Sequence, residues 1–360
     1  MPYYIQLVID DDIVGGKYAH MTTFDQPLTF KSGVTLANRL MMSPMTTQQS
    51  FYNGTVTQEE IHYYAERAKG LGAVITGAAN VQATGKGWPG ELSIEADTFL
   101  PELGQLARAI QAQGAKAIVQ IFHAGRMTHA ATLGGTQPVS ASAVPAQRPD
   151  AEVPRELTVP EIQAIVTAFG EATRRAIQAG FDGVELHGAN TYLLQQFFSP
   201  HSNRRTDDYG GDRTRRYRFI HEVIDAVFAA VDRYATRPFL VGYRVSPEEY
   251  ETPGIRVADT LWLLKQLGDT RLDYVHLSLN DYTRVAKEGR VSGPVVAGLR
   301  AGGFASDPTG GRRRRPHAPR RGQRVGHGRP RSGGPTTPVR PDLGGQTGQR
   351  CRRRHAYRTV

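Results

Sequence analysis

The chain alternates short apolar runs with longer segments in which apolar positions recur every three or four residues. The short runs are typical of buried strands, and the longer segments have the amphipathic period of helices. Strands are predicted at Leu40–Pro44, Ala73–Thr76, Ala117–Ile121, Gly183–Leu186, Phe239–Arg244 and Tyr274–Leu277. Helices are predicted at Gln58–Lys69, Phe99–Gln113, Val159–Ala179, Arg213–Val231 and Val257–Leu267. Strands that alternate with helices of this length indicate βαβ units on a parallel sheet.

Local signals at the element ends support these predictions. Thr158 and Glu161 have the spacing of a capping box at the head of the third helix. Gly114 and Gly180 stand where a helix should end and a strand should follow. Near the N-terminus, Leu28–Phe30 and Val34–Leu36 are predicted to form a short β-hairpin that closes one end of the fold.

The number of strand–helix repeats helps to distinguish a closed barrel from an open sheet. Six strand–helix repeats can be counted by Leu277, whereas a closed barrel needs eight. An open, doubly wound sheet is the alternative, but no G-x-G-x-x-G motif follows the first strand to support it. We therefore predict an α/β fold, a (β/α)8 TIM barrel whose strands 7 and 8 are lost to a disordered basic C-terminal tail.

The pattern dissolves at both ends of the chain. Residues 301–360 contain 15 arginines and two acidic residues among many glycines and prolines, a mixture that cannot bury enough surface to fold. This segment could be a nucleic-acid-binding tail, a plain disordered tail or the out-of-frame product of a GC-rich gene, and we favour the third. At the other end, the run MTTFDQPLTF from Met21 reads as a natural start, so residues 1–20 are interpreted as a start-site extension.

Composition narrows the class of protein. The net charge is +10, but residues 1–300 carry 29 basic and 32 acidic side chains, so nucleic acid is not the expected partner. The single cysteine, Cys351, excludes an intrachain disulfide framework and a cysteine-ligated metal or iron–sulfur centre, and no metal site is expected. No apolar run is long enough to span a membrane and no secretory signal is recognised, so a cytoplasmic location is expected.

Polar or glycine-rich runs follow the predicted strands, where a barrel builds its active site. Ser43–Thr46 ends the first strand, although such a turn could equally be a simple strand terminator. Gly77–Ala79 ends the second, and small residues there would let the backbone approach a flat ligand. Gln120, on the third strand, needs hydrogen-bond partners, which either a heterocycle edge or neighbouring backbone would supply.

The strongest candidate segment follows the fourth strand and reads HGANTYLLQQFFSPHSNRRTDDYGG. His187 and Asn190 lie three residues apart, and Tyr192 follows closely. Two neutral donors suit a carbonyl or phenolate oxygen, and a nearby tyrosine can deliver a proton. A lone histidine would more often be structural, but three such groups at one strand end favour a catalytic role. Arg244 ends the fifth strand, where a buried guanidinium must meet an anion or an electron-rich ring edge.

Four strings carry a resemblance to a known family: RLMMSPMTT, VQIFHAGR, HGANTYLLQQFFSPHSNRRTDDYGGDRTRRYRF and VGYRVSPEEY. They resemble the old yellow enzyme family of NAD(P)H-dependent FMN oxidoreductases. The resemblance runs from about residue 24 to residue 298, and its third string is highly specific. It implies that residues 21–300 form an incomplete FMN-binding TIM-barrel domain, with NADH or NADPH as the reductant.

The resemblance also implies which residues contact the flavin. Ring contacts are implied for Ser43, Pro44, Met45, Thr46, Ala78, Gln120 and Arg244. Thr46 would lie near the C4 carbonyl, Ala78 and Gln120 against the pyrimidine part, and Arg244 by N1 and O2. One branch of the family has cysteine where this chain has Thr46, so a different flavin potential is expected.

The implied activity is ene-reduction, in which NAD(P)H reduces FMN and a hydride then passes to an activated alkene or a quinone-like substrate. His187 and Asn190 would hold the carbonyl of an α,β-unsaturated substrate, and Tyr192 would protonate its α-carbon. In the family, the seventh and eighth strands hold the FMN phosphate, and they are not recognisable here. A truncated, non-functional homologue therefore remains an alternative, with a basic-tailed nucleic-acid-binding protein as a more remote one. A homo-oligomer could also form.

Overall fold

The computed structural model describes residues 5–7, 24–281, 283–287 and 299, all of which belong to the first of the chain's two units, Met1–Pro308. The strands in these parts of the chain are β1 (Ile5–Leu7), β2 (Leu28–Thr29), β3 (Thr35–Leu36), β4 (Leu40–Met42), β5 (Ala73–Asn80), β6 (Leu92–Ser93), β7 (Lys116–Phe122), β8 (Val139–Ser140), β9 (Arg155–Glu156), β10 (Gly183–Gly188), β11 (Leu240–Val245) and β12 (Tyr274–Leu277). Six of them, β4-β5-β7-β10-β11-β12, pair in parallel and in sequence order in one curled sheet. These are the six strands that the hydrophobic pattern predicts.

Helices connect the parallel strands as predicted. They are α1 (Gln58–Ala68), α2 (Leu100–Gln111), α3 (Val159–Gln178), α4 (Leu193–Phe198), α5 (Arg213–Tyr234) and α6 (Val257–Gly268). The capping box of Thr158 and Glu161 is present at the start of α3. Gly114 and Gly180 follow α2 and α3 with φ angles of +89° and +85°, a left-handed conformation that favours glycine. None of the described helices is both long and apolar enough to cross a membrane.

Successive side chains on the parallel strands face opposite sides of the sheet. On β7, Val119 and Ile121 pack into the large core between sheet and helices, whereas Ile118 packs on the inner side. Gln120 shares that inner side because it lies two residues from Ile118. The register of β5 shifts between Ile75 and Ala78, and this irregularity brings Ala78 into an inner cluster. The inner face is therefore apolar at the start of the strands and polar further along them.

A β-hairpin covers the amino ends of the strands. β2 and β3 pair antiparallel, and Leu28, Val34 and Leu36 form one core cluster with Leu240 and Tyr274, the first residues of β11 and β12. The predicted hairpin is confirmed, and it leaves the carboxyl ends of the strands as the place for a site.

The two edge strands of the sheet lie near the parts of the chain for which the sequence predicted an N-terminal extension and a C-terminal tail. On one edge, β1 pairs antiparallel with β4, a pairing that the hydrophobic pattern of residues 1–20 does not predict. On the other edge, β12 is the last strand of the described part. The interpretation of residues 301–360, the positions of strands 7 and 8, and the rest of residues 1–20 lie outside the described residues.

Candidate active site

A pocket opens at the carboxyl ends of the parallel strands. Its lining consists of Pro44, Met45, Thr46, Ala78, Trp88, Gln120, His187, Asn190, Tyr192 and Arg244. Nine of the ten predicted site residues are therefore brought together, from five strand ends that are up to 200 residues apart in the chain. The tenth, Ser43, is buried beside them at the end of β4 and does not line the pocket.

The segment after β4 lies close against β5 because Gly77 has no side chain. A Cβ atom at Gly77 would lie 2.8 Å from the carbonyl oxygen of Met45. The sequence suggested that the small residues Gly77–Ala79 let the backbone approach a flat ligand. At Gly77 the Met45 backbone occupies that space. Of these three residues, only Ala78 lines the pocket. Gly77 thus positions one wall, and Ala78 leaves room beside it.

His187, near the end of β10, is buried and its tautomer follows from one contact. The backbone N–H of Ala189 donates to Nδ1 of His187 at 3.3 Å, so Nδ1 acts as an acceptor. Burial, followed by the nearby charges of Arg244 and His276, holds the pKa of His187 well below its usual value. A neutral ring with Nδ1 accepting carries its proton on Nε2, so His187 can donate one hydrogen bond.

The backbone after His187 takes an uncommon conformation. Asn190 and Thr191 have φ angles of +54° and +63°, which cost energy for residues other than glycine. Ser246 Oγ accepts from Asn190 N–H at 2.9 Å, and Gln195 Oε1 accepts from Thr191 N–H at 3.0 Å. Ser278 Oγ donates to Asn190 Oδ1 at 2.8 Å, which commits the oxygen of this amide and leaves its NH2 group as the free donor.

Tyr192 lies against His187, with ring centroids 4.8 Å apart in an edge-to-face arrangement, and also against Phe122 at 5.0 Å. Burial, and then the carboxyl group of Glu91, raise the pKa of Tyr192 to about 12. The phenol therefore keeps its proton at neutral pH. Together, His187, Asn190 and Tyr192 present two neutral donors and one proton source to the same pocket.

Beneath the pocket lies a group that we call the strand cluster: Gln120, Glu185, Arg244 and His276. Glu185 is fully buried. Gln120 Nε2 donates to its Oε1 at 2.7 Å, and His276 Nδ1 lies 3.0 Å from its Oε2. Burial would raise the pKa of Glu185, but His276, then Arg244 and the Gln120 hydrogen bond, hold it below its usual value. The cluster thus contains a buried carboxylate with a guanidinium, an imidazole and an amide around it.

On the other side of the pocket, the loop after β5 contributes what we call the loop cluster: Gly87, Trp88 and Glu91. Glu91 Oε2 accepts from the backbone N–H of Gly87 at 2.8 Å, whereas its buried Oε1 has no hydrogen-bond partner in the described part of the chain. Burial raises the pKa of Glu91 well above its usual value. Glu91 therefore holds its proton more strongly than an ordinary glutamate does.

Sequence reasoning missed Trp88, Glu91, Glu185, His276 and Ser278. Trp88 and Glu91 lie in a loop without a periodic pattern, which carries no signal. Glu185 did carry one, since it is an acidic residue inside an apolar strand run, as Arg244 is a basic one. Opposite charges inside two consecutive strands of a parallel sheet could have been read as a buried pair.

The chain is similar to known flavin oxidoreductases. The model of the NADH:flavin oxidoreductase / NADH oxidase family matches residues 24–298. An NADH:acrylate oxidoreductase of Vibrio harveyi is 51% identical over 257 residues, which cover 71% of this chain and 26% of that protein. A probable NADH-dependent flavin oxidoreductase of Bacillus subtilis (strain 168) is 48% identical over 264 residues, which cover 73% of this chain and 70% of that protein.

Solved structures show the same fold. Morphinone reductase in complex with tetrahydroNAD superposes with a TM-score of 0.64 at 30% identity, over 71% of this chain and 74% of that one. The old yellow enzyme homologue from Zymomonas mobilis gives a TM-score of 0.68 at 26% identity, over 78% of this chain and 80% of that one. The TIM-barrel fold class, FMN as the family's cofactor and a nicotinamide reductant follow from these matches. The chain spans only about a quarter of the length of some relatives, such as the acrylate oxidoreductase. It belongs to the NADH:flavin oxidoreductase / NADH oxidase family, the flavin oxidoreductases of the old yellow enzyme type.

Proposed function

We propose that this chain uses NADH or NADPH, through FMN, to reduce an alkene conjugated to a carbonyl or carboxyl group. The observation that carries the proposal is the convergence of His187, Asn190 and Tyr192 on one pocket. Two neutral donors beside a protonated phenol match an oxygen that gains negative charge and a carbon that gains a proton.

The pocket has the polar groups that the edge of a flavin ring requires. Arg244 lines it, and the buried Nε of this guanidinium has no hydrogen-bond partner among the described residues. Gln120 also lines it and donates its NH2 group elsewhere, which supports its carbonyl oxygen as the group that faces the ring. We therefore assign ring contacts to Arg244, Gln120 and Ala78, with Pro44, Met45 and Thr46 along the opposite wall and Ser43 supporting them from beneath.

When bound, FMN supplies the hydride, and the side chains of this chain supply the rest. His187 Nε2–H and the Asn190 NH2 group bind the substrate oxygen and draw electron density away from the alkene. These donors are neutral and already oriented, so they need little reorganisation as negative charge builds up on that oxygen. Tyr192 gives its proton to the α-carbon, and its raised pKa keeps that proton available.

The names of two relatives suggest the substrate class. They are the acrylate oxidoreductase of Vibrio harveyi and a fumarate oxidoreductase of Klebsiella pneumoniae (strain 342), which is 47% identical over 254 residues. This chain covers 26% and 28% of those two proteins. We extend to it only the common chemistry, an α,β-unsaturated acid or carbonyl compound.

The test separates the two half-reactions in the full-length chain loaded with FMN. Under anaerobic conditions, NADH or NADPH should bleach the flavin absorbance. Addition of acrylate, fumarate or cyclohexenone should then restore it, whereas propionate, which has no alkene, should not. A flavin that NAD(P)H reduces but none of the three alkenes reoxidises above the buffer rate would contradict the proposal.

A further inference from the structure

Glu185 is a buried polar residue that lies behind the pocket and does not line it. Glu185 lies on β10 directly opposite Gln120 on β7 in the strand register. Both of its carboxyl oxygens are engaged, Oε1 by Gln120 and Oε2 by His276. Gln120 and Arg244 line the pocket, whereas Glu185 and His276 stand behind them.

A carboxylate accepts hydrogen bonds but cannot donate them. The NH2 group of Gln120 must therefore face Glu185, and the carbonyl oxygen of the same amide must point away from it. Without Glu185, the two ends of this amide would be nearly equivalent in shape and free to exchange. The carboxylate thus decides which end of Gln120 is presented to the pocket.

Glu185 also offsets positive charge. Arg244 and His276 are direct neighbours on β11 and β12, and Glu185 lies on β10 beside them. Tyr274, on β12, is buried next to the same carboxylate and is neutral, because burial and then Glu185 raise its pKa well above the usual value. Arg244 lies two residues beyond Gly242, which is opposite Glu185 in the strand register, and its charge helps to lower the pKa of Glu185. The carboxylate therefore offsets part of the positive charge of Arg244 in this interior.

We propose that Glu185 is a positioning residue for the flavin ring, one that turns the Gln120 carbonyl towards a ring N–H and moderates the charge of Arg244. This inference rests on the proposed function, since it concerns the same FMN site. The first effect strengthens ring binding in both redox states. The second makes the reduced, anionic flavin less stable than Arg244 alone would make it, which lowers the reduction potential.

Two variants of the full-length chain separate these effects. Glu185→Gln keeps the shape and removes the charge, so the affinity for reduced relative to oxidised FMN should rise about tenfold, a shift of about 30 mV to more positive potential. Glu185→Asp keeps the charge but is one methylene too short to reach Gln120, so it should weaken FMN binding several-fold while the potential stays near that of wild type. Glu66→Gln is the control, because it removes an exposed carboxylate on α1 that pairs with Lys69 and does not line the pocket. It should leave the potential unchanged.

The measurements are the dissociation constant of FMN, from quenching of its fluorescence, and the potential, from equilibration with a reference dye. A Glu185→Gln potential equal to that of wild type would overturn the inference, as would Glu185→Asp binding FMN as wild type does. If Glu185→Gln does not fold, Glu185→Asp alone decides, since its predicted effect on binding is independent. A wild-type chain that takes up no FMN would instead overturn the proposed function and this inference together.

Discussion

The pocket lies between two buried carboxyl groups whose pKa values are shifted in opposite directions. In the strand cluster, both oxygens of Glu185 have partners and its pKa is lowered. In the loop cluster, Glu91 has one backbone donor and one oxygen without a partner in the described part, and its pKa is raised well above the usual value. Both are almost completely buried, so burial alone does not decide the direction of the pKa shift.

The hydrogen-bonding and charged partners of each carboxyl group decide the direction of its pKa shift. These partners differ because one group lies on a strand and the other in a loop. Glu185 stands on β10, where the neighbouring strand β7 supplies Gln120 and the two strands on the other side, β11 and β12, supply Arg244 and His276. Glu91 stands at the end of a loop, where backbone N–H groups and the charge of Lys86 are its partners. The partners of Glu185 outweigh the desolvation of its carboxylate, whereas those of Glu91 do not.

The largest expected effect on stability comes from replacing each of the two carboxyl groups by an apolar side chain. Glu185→Leu should lower the free energy of unfolding by about 3–5 kcal/mol, because it leaves the buried guanidinium of Arg244 without a nearby negative charge and the NH2 group of Gln120 without its acceptor. Glu91→Leu should cost about 1–3 kcal/mol, mainly from the unsatisfied N–H of Gly87. Urea denaturation of the two variants measures both values. Equal losses would mean that Glu185 is not charged in the folded protein.

The next largest effect is expected from a change at Tyr192, which lies between the two clusters. Tyr192→Phe should slow alkene-dependent reoxidation of the flavin by about a hundredfold or more, the usual contribution of a positioned acid. Reduction of the flavin by NAD(P)H should be spared, because that half-reaction needs no proton from the phenol. Rapid-mixing absorbance traces of each half-reaction provide the measurement, and equal slowing of both would exclude Tyr192 as the proton donor.

The raised pKa of Glu91 predicts a pH dependence with a definite sign. Its pKa is higher in the folded protein than the usual value of 4.5, so its contribution to stability is fully present below that value and is lost as pH rises through the folded pKa. Glu91→Gln removes this loss, so it should stabilise the protein relative to the wild type at pH 8. At pH 5 the gain should be smaller. Denaturation curves at both pH values test this, and an equal gain at both would contradict it.

The smallest expected effect concerns Asn190, the proposed hydrogen-bond donor to the substrate. Ser278→Ala removes the hydroxyl that holds Asn190 Oδ1, so the amide can turn its oxygen towards the pocket. One hydrogen bond of about 0.5–1.5 kcal/mol predicts a rise in KM for the alkene of roughly threefold to tenfold. Thr283→Ala, at an exposed position bonded to Asp281, is the control. A KM that stays at the wild-type value would show that Asn190 is oriented by other contacts.

The hydrophobic pattern predicted the parallel strands and all but one of the helices, and the exception shows why. α4 (Leu193–Phe198) is buried at every position, including Gln195 and Gln196, so it has no amphipathic period to detect. The pairing of β1 with β4 was missed for a similar reason, since a strand of three residues is too short to show a period. Both elements depend on contacts with distant parts of the chain.

The sequence by itself determined the order of the strands, the position of the site at their carboxyl ends and the family of the protein. It could do so because burial repeats along each element and because the site residues directly follow the strands. Only the tertiary structure decided the tautomer of His187, the orientation of the Gln120 amide and the directions in which the pKa values of Glu185 and Glu91 are shifted. These properties depend on which side chains meet across strands and loops, and such pairings are determined by register and close packing and not by the local pattern of the chain.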